Sequence, residues 1–345
     1  MSDRVTLRDV ALEAGVHIST ASRALNDQTS SIVSPETGRR VMEAARKLGY
    51  SPNPLAKGLR THRTMSVGVV IPDIENPLFG PIIAGIEGRL AEEGYSTLIT
   101  DAGRSDPDLV SSVVETLIER RVDGMILAMA TRTGSTVESI HRRNIPVVLV
   151  NRTSEGVPVP SIVGDDQIGI GLAVEHLADL GHVHIGHIAG PKGLSTGMGR
   201  FQAFVSSMED RGLAAGPEVV AQADWYQVEP GYKAARELLD RRPDLTAIVC
   251  ANDLIALGAY RAIRERGLEV GPDVSVTGYN DIPLLDLLQP ALTSVRIPYR
   301  KMGSEAASML LGMMFSDENS PSQETSMRLR PTLSVRASTQ PPREG

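Results

Sequence analysis

The stretch VTLRDVALEAGVHISTASRALN, residues 5–26, predicts two short helices joined by a tight turn. Thr6, with Asp9 three residues later, has the signature of a capping box that starts the first helix. Gly15 supplies the turn, and the second helix is expected from about His17 to Leu25. Apolar residues with helical spacing fill the inner face of the pair, namely Val10, Ala11, Ala14, Ala21 and Ala24.

The second of these helices predicts a nucleic-acid reader. Its outer face carries Ile18, Ser19, Ser22 and Arg23, so polar and apolar groups that can contact base edges lie together. A helix, a glycine-containing turn and a second helix is the arrangement that places the second helix in a DNA major groove.

A third helix is predicted by its end signals. Ser34 is a good N-cap, Pro35 suits the first helical position, and Gly49 is expected to end the helix. One face is apolar, with Val41, Ala44, Ala45 and Leu48. Three short helices around a small core indicate an all-α domain over residues 1–50.

The next segment, residues 51–63, predicts a linker with a conditional helix. Asn53 can cap and Pro54 can start a helix over 54–60. A helix this short is marginal, since nucleation is costly, and Gly58 weakens it further. We expect it to order only when another molecule holds it.

The rest of the chain alternates apolar runs with helical patterns. Strands are predicted at 67–71, 97–100, 125–127, 147–150, 184–188, 247–250 and 274–277. Helices are predicted at 78–90, 109–118, 137–141, 168–180, 200–208, 231–239 and 254–264. The alternation indicates parallel sheets covered on both faces, and its restart after Val163 indicates two similar lobes.

These motifs resemble the LacI/GalR family of bacterial repressors. The resemblance is carried by Val5 to Ala11, Ala14-Gly-Val16, Ser19 to Asn26, Ser51 to Pro54 and Leu59-Arg60, and it runs over the whole chain. It implies an N-terminal helix-turn-helix domain and a hinge helix. These would be joined to a two-lobed α/β sensor of the periplasmic-binding-protein-like (type I) class, with parallel sheets.

The resemblance also sets the domain limits that we expect. Residues 1–50 form the DNA-binding domain, residues 51–63 the hinge, and residues 64–340 the effector-binding and dimerisation domain. The chain is expected to cross between lobes near 163, 293 and 325. The N-lobe then comprises about 64–163 and 293–325, and the C-lobe about 164–292 and 326–340.

For DNA binding, the resemblance implies roles for individual residues. Base-reading positions are Ile18, Ser19 and Arg23, where the arginine can fork to a guanine. Positions that touch phosphate or fix the helix are Thr6, His17, Thr20, Ser22 and Asn26. Leu59 matches the leucine that wedges into the central minor-groove step, with Lys57 on the same hinge helix. His17 replaces the usual Ser or Thr, and Ile18 can contact only a thymine methyl, so the operator sequence stays open.

A ligand site is expected where parallel strands end. Polar or aromatic residues follow the predicted strands there, namely Asp73, Asn76, Phe79, Asn151, Arg152, Asn252, Asp253 and Asn280, and Asp165 follows the first crossover between lobes. Amides, carboxylates and arginine suit a polyhydroxylated ligand. Because aromatic residues make up only 3% of the chain, Phe79 and Trp225 are candidate stacking plates, with plain packing as the alternative.

By resemblance, Arg200 matches the ligand-clamping arginine of the family, and Asn252 with Asp253 matches its ligand-binding pair. Asn252 has an alternative role as a helix cap. Asn280 stands where members usually carry an aspartate, and Ile297 replaces a polar residue. These two departures put a plain hexose or disaccharide in doubt, although a sugar or sugar derivative remains the favoured effector.

Charge and composition agree with this reading. Residues 1–62 carry nine Lys and Arg against six Asp and Glu, although the whole chain has a net charge of -7. A basic head on an acidic body is typical of a nucleic-acid reader with a small-molecule sensor. The lone Cys250 allows no internal disulfide, and we find neither a secretory signal nor a membrane-spanning run. We therefore expect a cytoplasmic, nucleoid-associated protein with no membrane partner.

Other functional classes find little support. A solute-binding protein would need a secretion signal and no basic head. An enzyme would need a catalytic or cofactor constellation, and none stands out at recognisable spacing. His182, His184 and His187 lack a carboxylate or cysteine to complete a metal set, so we expect no metal and no cofactor. The sequence thus predicts a homodimeric repressor that binds pseudo-palindromic duplex DNA. Its DNA affinity would respond to a small molecule held between two lobes, and the family favours an inducer over a corepressor.

Overall fold

The computed structural model describes residues 5–25, 30–50, 63–103, 107–132, 134–315 and 326–343. The chain divides into two compact units, residues 1–65 and residues 66–345. The predicted hinge helix over 54–60 lies outside the described residues, as do Asn26, Lys57 and Leu59.

The first unit contains three helices among its described residues: α1 (Leu7–Glu13), α2 (Ile18–Ala24) and α3 (Pro35–Leu48). The predicted capping box is present, because Asp9 Oδ2 accepts from the Thr6 amide at 2.8 Å and Thr6 Oγ1 accepts from the Asp9 amide at 3.4 Å. Gly15 and Gly49 both have φ near +60°, which only glycine adopts at little cost. The predicted turn and helix end are therefore confirmed.

Small side chains form the core of this unit. Its buried residues are Val10, Ala11, Ala14, Ala21, Ala24, Val41, Ala44 and Ala45. The Arg40 guanidinium also donates to the carbonyl of Ala14, which ties α3 to the end of α1. Alanine lets the three helices approach closely, so a short chain can still enclose a core.

The N-lobe of the second unit alternates strands and helices. Its elements are β1 (Ser66–Ile71), α4 (Phe79–Glu92), β2 (Ser96–Asp101), α5 (Pro107–Glu119), β3 (Gly124–Leu127), α6 (Ser135–Arg142), β4 (Val147–Val150) and β5 (Ser161–Gly164). With β11 (Met327–Leu329), the described strands form a parallel sheet in the order β11-β5-β4-β3-β1-β2. Apolar runs such as Val147–Val150 are buried on both faces, as expected for a parallel sheet.

The C-lobe repeats the pattern. Its elements are α7 (Asp166–Asp179), β6 (Ile185–Ala189), α8 (Ser195–Glu209), β7 (Val220–Gln222), α9 (Val228–Arg241), β8 (Ala247–Cys250), α10 (Asp253–Glu265), β9 (Ser275–Asn280), β10 (Thr293–Arg296) and β12 (Thr332–Ser334). The described strands are ordered β12-β10-β9-β8-β6-β7, and β12 alone among them is antiparallel to its neighbour. Helix α11 (Tyr299–Phe315) returns to the N-lobe and packs on α4. None of the described helices combines the length and apolar character that a membrane span requires.

The lobe boundaries differ from the predicted ones. Strand β10 pairs with β9 in the C-lobe sheet, so residues 293–296 do not belong to the N-lobe. Strand β11 pairs with β5 in the N-lobe sheet, so residues 327–329 do not belong to the C-lobe. The crossings therefore lie near 165, 297 and 331. The prediction failed because β10 begins with Thr293 and Ser294, whose hydroxyls make long-range bonds to Thr339 and Asp253 instead of following an apolar pattern.

Glycines allow close helix packing in both lobes. A Cβ on Gly85 of α4 would lie 2.0 Å from the Arg300 carbonyl oxygen, and one on Gly303 of α11 would lie 2.0 Å from that of Ile82. In the C-lobe, a Cβ on Gly258 of α10 would lie 2.3 Å from the Tyr232 amide nitrogen. Each lobe thus has a helix pair in backbone contact, which a larger residue would push apart.

Candidate functional sites

The outer face of α2 is open to solvent. Ile18 is 42% exposed, and Ser19 and Arg23 are also exposed, whereas Ala21 and Ala24 are buried against the other helices. The predicted base-reading residues Ile18, Ser19 and Arg23 therefore all lie on the solvent-exposed face of α2.

The start of α2 is fixed by a histidine. His17 Nδ1 accepts from the Ser19 amide at 3.3 Å, so the histidine caps the helix where the resembled family has Ser or Thr. The Thr6 hydroxyl donates to the Asp9 carboxylate at 2.7 Å. Thr20 and Ser22 are half-buried at the edge of the outer face of α2. Within the described part of the N-terminal domain, the predicted DNA-contacting residues therefore lie at the N-termini of α1 and α2 and along α2.

A cavity lies between the lobes, at the carboxyl ends of strands from both sheets. It is lined by Pro72, Asp73, Asn76, Leu78, Phe79, Asn151, Arg152, Thr196, Arg200, Trp225, Tyr226, Asn252 and Asn280. This is the place where open α/β sheets bind ligands.

All the effector residues predicted from the sequence line this cavity except Asp165 and Asp253. Asp165 instead caps α7, where its Oδ1 accepts from the Ile168 amide at 3.1 Å. The prediction had Asp165 following the crossover between lobes; in the structure it follows β5 and starts a helix, and its carboxylate is used there.

Asp253 is fully buried, and its carboxylate bonds to other segments of the C-lobe. Its Oδ1 accepts from the Ser294 hydroxyl at 2.5 Å, and its Oδ2 accepts from the Ile282 amide at 2.9 Å. Burial raises the pKa of Asp253 to about 7, against the opposing effect of these two hydrogen bonds. Its role in the described structure is to join α10 to β10 and to the loop after β9.

Arg200 is a buried, well-bonded side chain at the cavity wall. Its Nε donates to Asp166 Oδ1 at 2.9 Å, its Nη1 donates to the Ala251 carbonyl at 2.7 Å, and its Cζ lies 3.8 Å from the centroid of the Tyr279 ring. Burial opposes its charge, but Asp166 and the nearby tyrosines outweigh burial and raise its pKa. These contacts fix the guanidinium plane toward the cavity.

Three asparagines present amides at the cavity. Asn151 and Asn280 have φ of 66° and 114°, left-handed values that direct their side chains away from the ordinary strand direction. Asn280 Oδ1 accepts from the Tyr299 hydroxyl at 2.7 Å. Asn252 lines the cavity and also caps α10, because its Oδ1 accepts from the Ile255 amide at 2.8 Å. Asn252 is therefore a helix cap that also lines the cavity, and its role in effector binding stays a prediction.

The two candidate stacking residues come from different lobes. Phe79 begins α4 and is 2% exposed, while Trp225 packs on the C-lobe core and is partly exposed. The Cζ atom of Arg152 lies 6.0 Å from the Trp225 ring centroid. Phe79 and Trp225 thus line the cavity from different lobes, and the polar side chains line it from the strand ends.

The sequence prediction missed four cavity residues, namely Pro72, Leu78, Thr196 and Tyr226. Tyr226 donates its hydroxyl to Thr196 Oγ1 at 3.0 Å, which links the loop after β7 to α8. Tyr226 had a usable signal, since it follows Trp225 in a chain with few aromatics. Thr196 had none, because it lies inside α8 and only the tertiary fold turns it toward the cavity.

The clustered histidines have structural partners. His187 is buried, its Nδ1 bonds the Val249 carbonyl at 2.8 Å, and its ring stacks on Phe204 with centroids 4.7 Å apart. Burial lowers the pKa of His187 to about 4, so it is neutral at physiological pH. His182 lies between Thr246 and the carbonyl of Gln340, and it anchors the C-terminal segment to the C-lobe.

Comparison with known proteins places the chain in a family. The model of bacterial regulatory proteins, lacI family, matches residues 6–53, and that of the periplasmic binding protein-like domain matches residues 174–339. The HTH-type transcriptional regulator MalR of Streptomyces coelicolor is 36% identical over 345 residues, covering 96% of each chain. The chain belongs to the lacI family of bacterial regulatory proteins.

Other lacI-family proteins support the assignment. The HTH-type transcriptional repressor CytR of Escherichia coli K12 is 34% identical over 310 residues, covering 90% of this chain and 89% of CytR. The lac repressor dimer bound to operator and the anti-inducer ONPF matches with a TM-score of 0.87 and 29% identity, over 98% of this chain and 100% of that one. The CelR–cellobiose complex matches with a TM-score of 0.74 and 31% identity, over 97% and 100%.

The predicted fold class is thereby confirmed for this lacI-family regulator, with a helix-turn-helix head and a type I periplasmic-binding-protein-like body. Its function as a DNA-binding transcription regulator is confirmed with it.

Proposed function

We propose that this lacI-family regulator is a homodimeric repressor whose α2 faces read a pseudo-palindromic operator. An effector of the sugar class, bound in the cavity between the lobes, changes its affinity for that operator. The chain acts by binding and not by catalysis. In this proposal Ser19, Ile18 and Arg23 contact bases. By resemblance to the family, Leu59 of the hinge wedges into the minor groove, and Lys57 binds DNA from the same hinge helix.

One observation carries the proposal. Nearly all the effector residues expected from the sequence line one cavity at which the carboxyl ends of both sheets meet. Because side chains from both lobes line this cavity, the proposal has effector binding change the position of the lobes relative to each other. A ligand that prefers one of these arrangements changes operator affinity by as much as its own affinity differs between them.

Dimer formation is supported by the loop that follows β9. Leu284 and Leu287 are 68% and 72% exposed, and Leu284 has a φ of 74°, which is costly for a branched side chain. Their neighbour Leu285 is buried and anchors the loop. Two exposed leucines on an anchored, strained loop suit a partner surface, and the related lac repressor structure is a dimer.

We therefore expect Leu287→Glu to dissociate the dimer. A charge placed at the centre of an apolar contact should weaken dimerisation by about 2–4 kcal/mol, or about 30- to 1000-fold. Sedimentation equilibrium of the full chain measures this change. Val183→Glu is the matched control, because Val183 is an exposed apolar residue elsewhere on the same lobe. If both variants stay as dimeric as the wild type, the loop is not the interface.

The reading role of α2 is tested with Arg23→Gln. Operator sequences are first selected from random duplexes, and binding is then measured by fluorescence anisotropy on the selected and on scrambled DNA. Loss of a base contact should lower the ratio of the two affinities by about 10- to 100-fold. Arg46→Gln on α3 removes the same charge from another exposed position, so it should leave that ratio unchanged.

The same assay tests the whole proposal. Wild-type affinity should fall steeply with salt, because phosphate contacts release counterions. Sugars that raise the melting temperature of the protein should also shift its operator affinity in one direction, and the sign distinguishes inducer from corepressor. A protein that binds every duplex equally, with and without stabilising sugars, would refute the proposal.

A further inference from the structure

Arg152 is a buried cation whose bonding is incomplete. It follows β4, lines the cavity between the lobes and is 3% exposed. Its Nε and Nη1 atoms are buried and have no hydrogen-bond partner. Buried arginines are almost always paired, since an unpaired buried charge is expensive. Arg200, in the same cavity, follows this rule through Asp166 and the Ala251 carbonyl.

The surroundings of Arg152 do not supply the missing anion. The strand ends that meet at the cavity present the amides of Asn151, Asn252 and Asn280. The carboxylate in the described lining is Asp73, which accepts hydrogen bonds from the Glu75 amide and from Gln227 Nε2. Across the described residues, no carboxylate forms an ion pair with Arg152.

The charge on Arg152 nevertheless persists. Burial lowers its pKa to about 10, and the neighbouring Arg200 contributes to the same direction. The guanidinium therefore stays protonated near neutral pH, and it sits beside a second cation. The cavity wall thus holds a desolvated positive charge with donors that point to no protein acceptor.

We propose that the effector carries an anionic group, a carboxylate or a phosphate on a polyhydroxylated body, and that Arg152 binds this group. The proposal rests on the effector site proposed above and narrows its ligand class. The amides of the three asparagines and the ring of Trp225 suit the hydroxylated body. The unpaired Nε and Nη1 donors of Arg152 suit an oxyanion, which accepts charge-assisted hydrogen bonds from a guanidinium.

The test compares matched neutral and charged probes on the full-length protein. One set is glucose, glucuronate and glucose 6-phosphate, and a second is ribose and ribose 5-phosphate. Binding is followed by thermal shift and calorimetry at constant ionic strength, with inorganic phosphate as the anion without a sugar. The carboxylate and phosphate arms distinguish a sugar acid from a sugar phosphate.

In the wild type, at least one charged probe should bind about 10- to 100-fold more tightly than its neutral parent, as expected for charge-assisted hydrogen bonds. Arg152→Met should abolish that difference, and Arg152→Lys should restore part of it. Arg120→Met removes an exposed arginine at the end of α5, outside the cavity, and should preserve the difference. Without any probe, Arg152→Met should melt at or above the wild-type temperature, because an uncompensated buried charge has been removed.

Several results would overturn the proposal. These are equal binding of charged and neutral probes, a preference for charge that survives in Arg152→Met, or a charged panel that leaves the melting temperature unchanged. A neutral sugar that shifts operator affinity would refute the anion and leave the proposed function standing. A protein with no DNA sequence preference would refute the proposed function, while the probe comparison would still decide the role of Arg152.

Discussion

Replacing Arg200 with methionine is expected to destabilise the protein and to abolish its response to effector. The guanidinium donates to Asp166 and to the Ala251 carbonyl and covers the Tyr279 ring. Its removal leaves an unpaired carboxylate and an unpaired carbonyl in a largely buried site. Breaking a buried ion pair by removing one partner costs about 3 kcal/mol or more. Urea unfolding of the full chain measures this loss.

The functional part of this prediction has its own measurement. Because Arg200 lines the cavity, its loss should weaken effector binding by at least about 100-fold, as for other charge-assisted contacts in buried sites. Operator binding without effector should persist, since α2 lies in the other unit of the chain. The variant should bind operator DNA with an affinity that effector no longer changes. Anisotropy titrations of operator with and without effector measure this.

Arg211→Met provides the control for Arg200→Met. Arg211 also pairs with carboxylates, those of Glu175 and Asp179, but all three side chains are substantially exposed. Surface pairs contribute at most about 1 kcal/mol, so this variant should retain nearly full stability and effector binding. Equal losses in the two variants would mean that Arg200 is an ordinary ion-pair partner without a special place in the cavity.

Gly85→Ala is expected to cause a large loss of stability, although it adds only one methyl group. The new methyl group would lie 2.0 Å from the carbonyl oxygen of Arg300, which is backbone and cannot rotate away. Helices α4 and α11 must then separate. They are in backbone contact at Gly303 as well, where a Cβ would lie 2.0 Å from the Ile82 carbonyl oxygen. Overpacking typically costs about 1–3 kcal/mol, and the contact with backbone puts this site near the upper end, at about 3 kcal/mol.

A second glycine of the same helix separates packing from helix propensity. Nothing lies within 4 Å of the position where a Cβ on Gly88 would stand. Gly88→Ala should therefore stabilise the protein by up to about 1 kcal/mol, because alanine loses less backbone entropy on folding. Chemical denaturation of both variants gives the comparison. A Gly85→Ala protein as stable as Gly88→Ala would show that α4 and α11 can move apart freely.

Local sequence signals were sufficient for the head. The Thr6–Asp9 capping box, Gly15, the Ser34–Pro35 start and Gly49 all act within a few residues of their own position. Such signals report directly on local backbone conformation, and the three described helices lie where they predict. The apolar runs of β1, β4 and β8 were also found, because a strand buried on both faces must be apolar along its whole length.

Other elements could not be found in this way. Strands β5, β7, β10, β11 and β12 have three or four residues each, and several are partly polar. In β10, Thr293 and Ser294 are buried because Ser338, Thr339 and Asp253 bond them from distant parts of the chain. Polar residues such as these are predicted as a loop from their polarity alone. The predicted lobe crossings were therefore displaced by a few residues.

The sequence by itself determined the helical head, the two strand-and-helix lobes and the strand ends where polar residues would gather. Only the tertiary structure decided which of those polar residues line the cavity and which are bonded within the protein. Asp165, Asp253, Asn151 and Arg152 were all predicted as effector residues from their positions in the sequence. In the structure, the two aspartates bond to backbone amides and, for Asp253, to Ser294. Arg152 instead lines the cavity with two donors unpaired. The physical reason is that a polar group is satisfied by whatever lies within about 3 Å of it, and distant segments of the chain supply most of those neighbours.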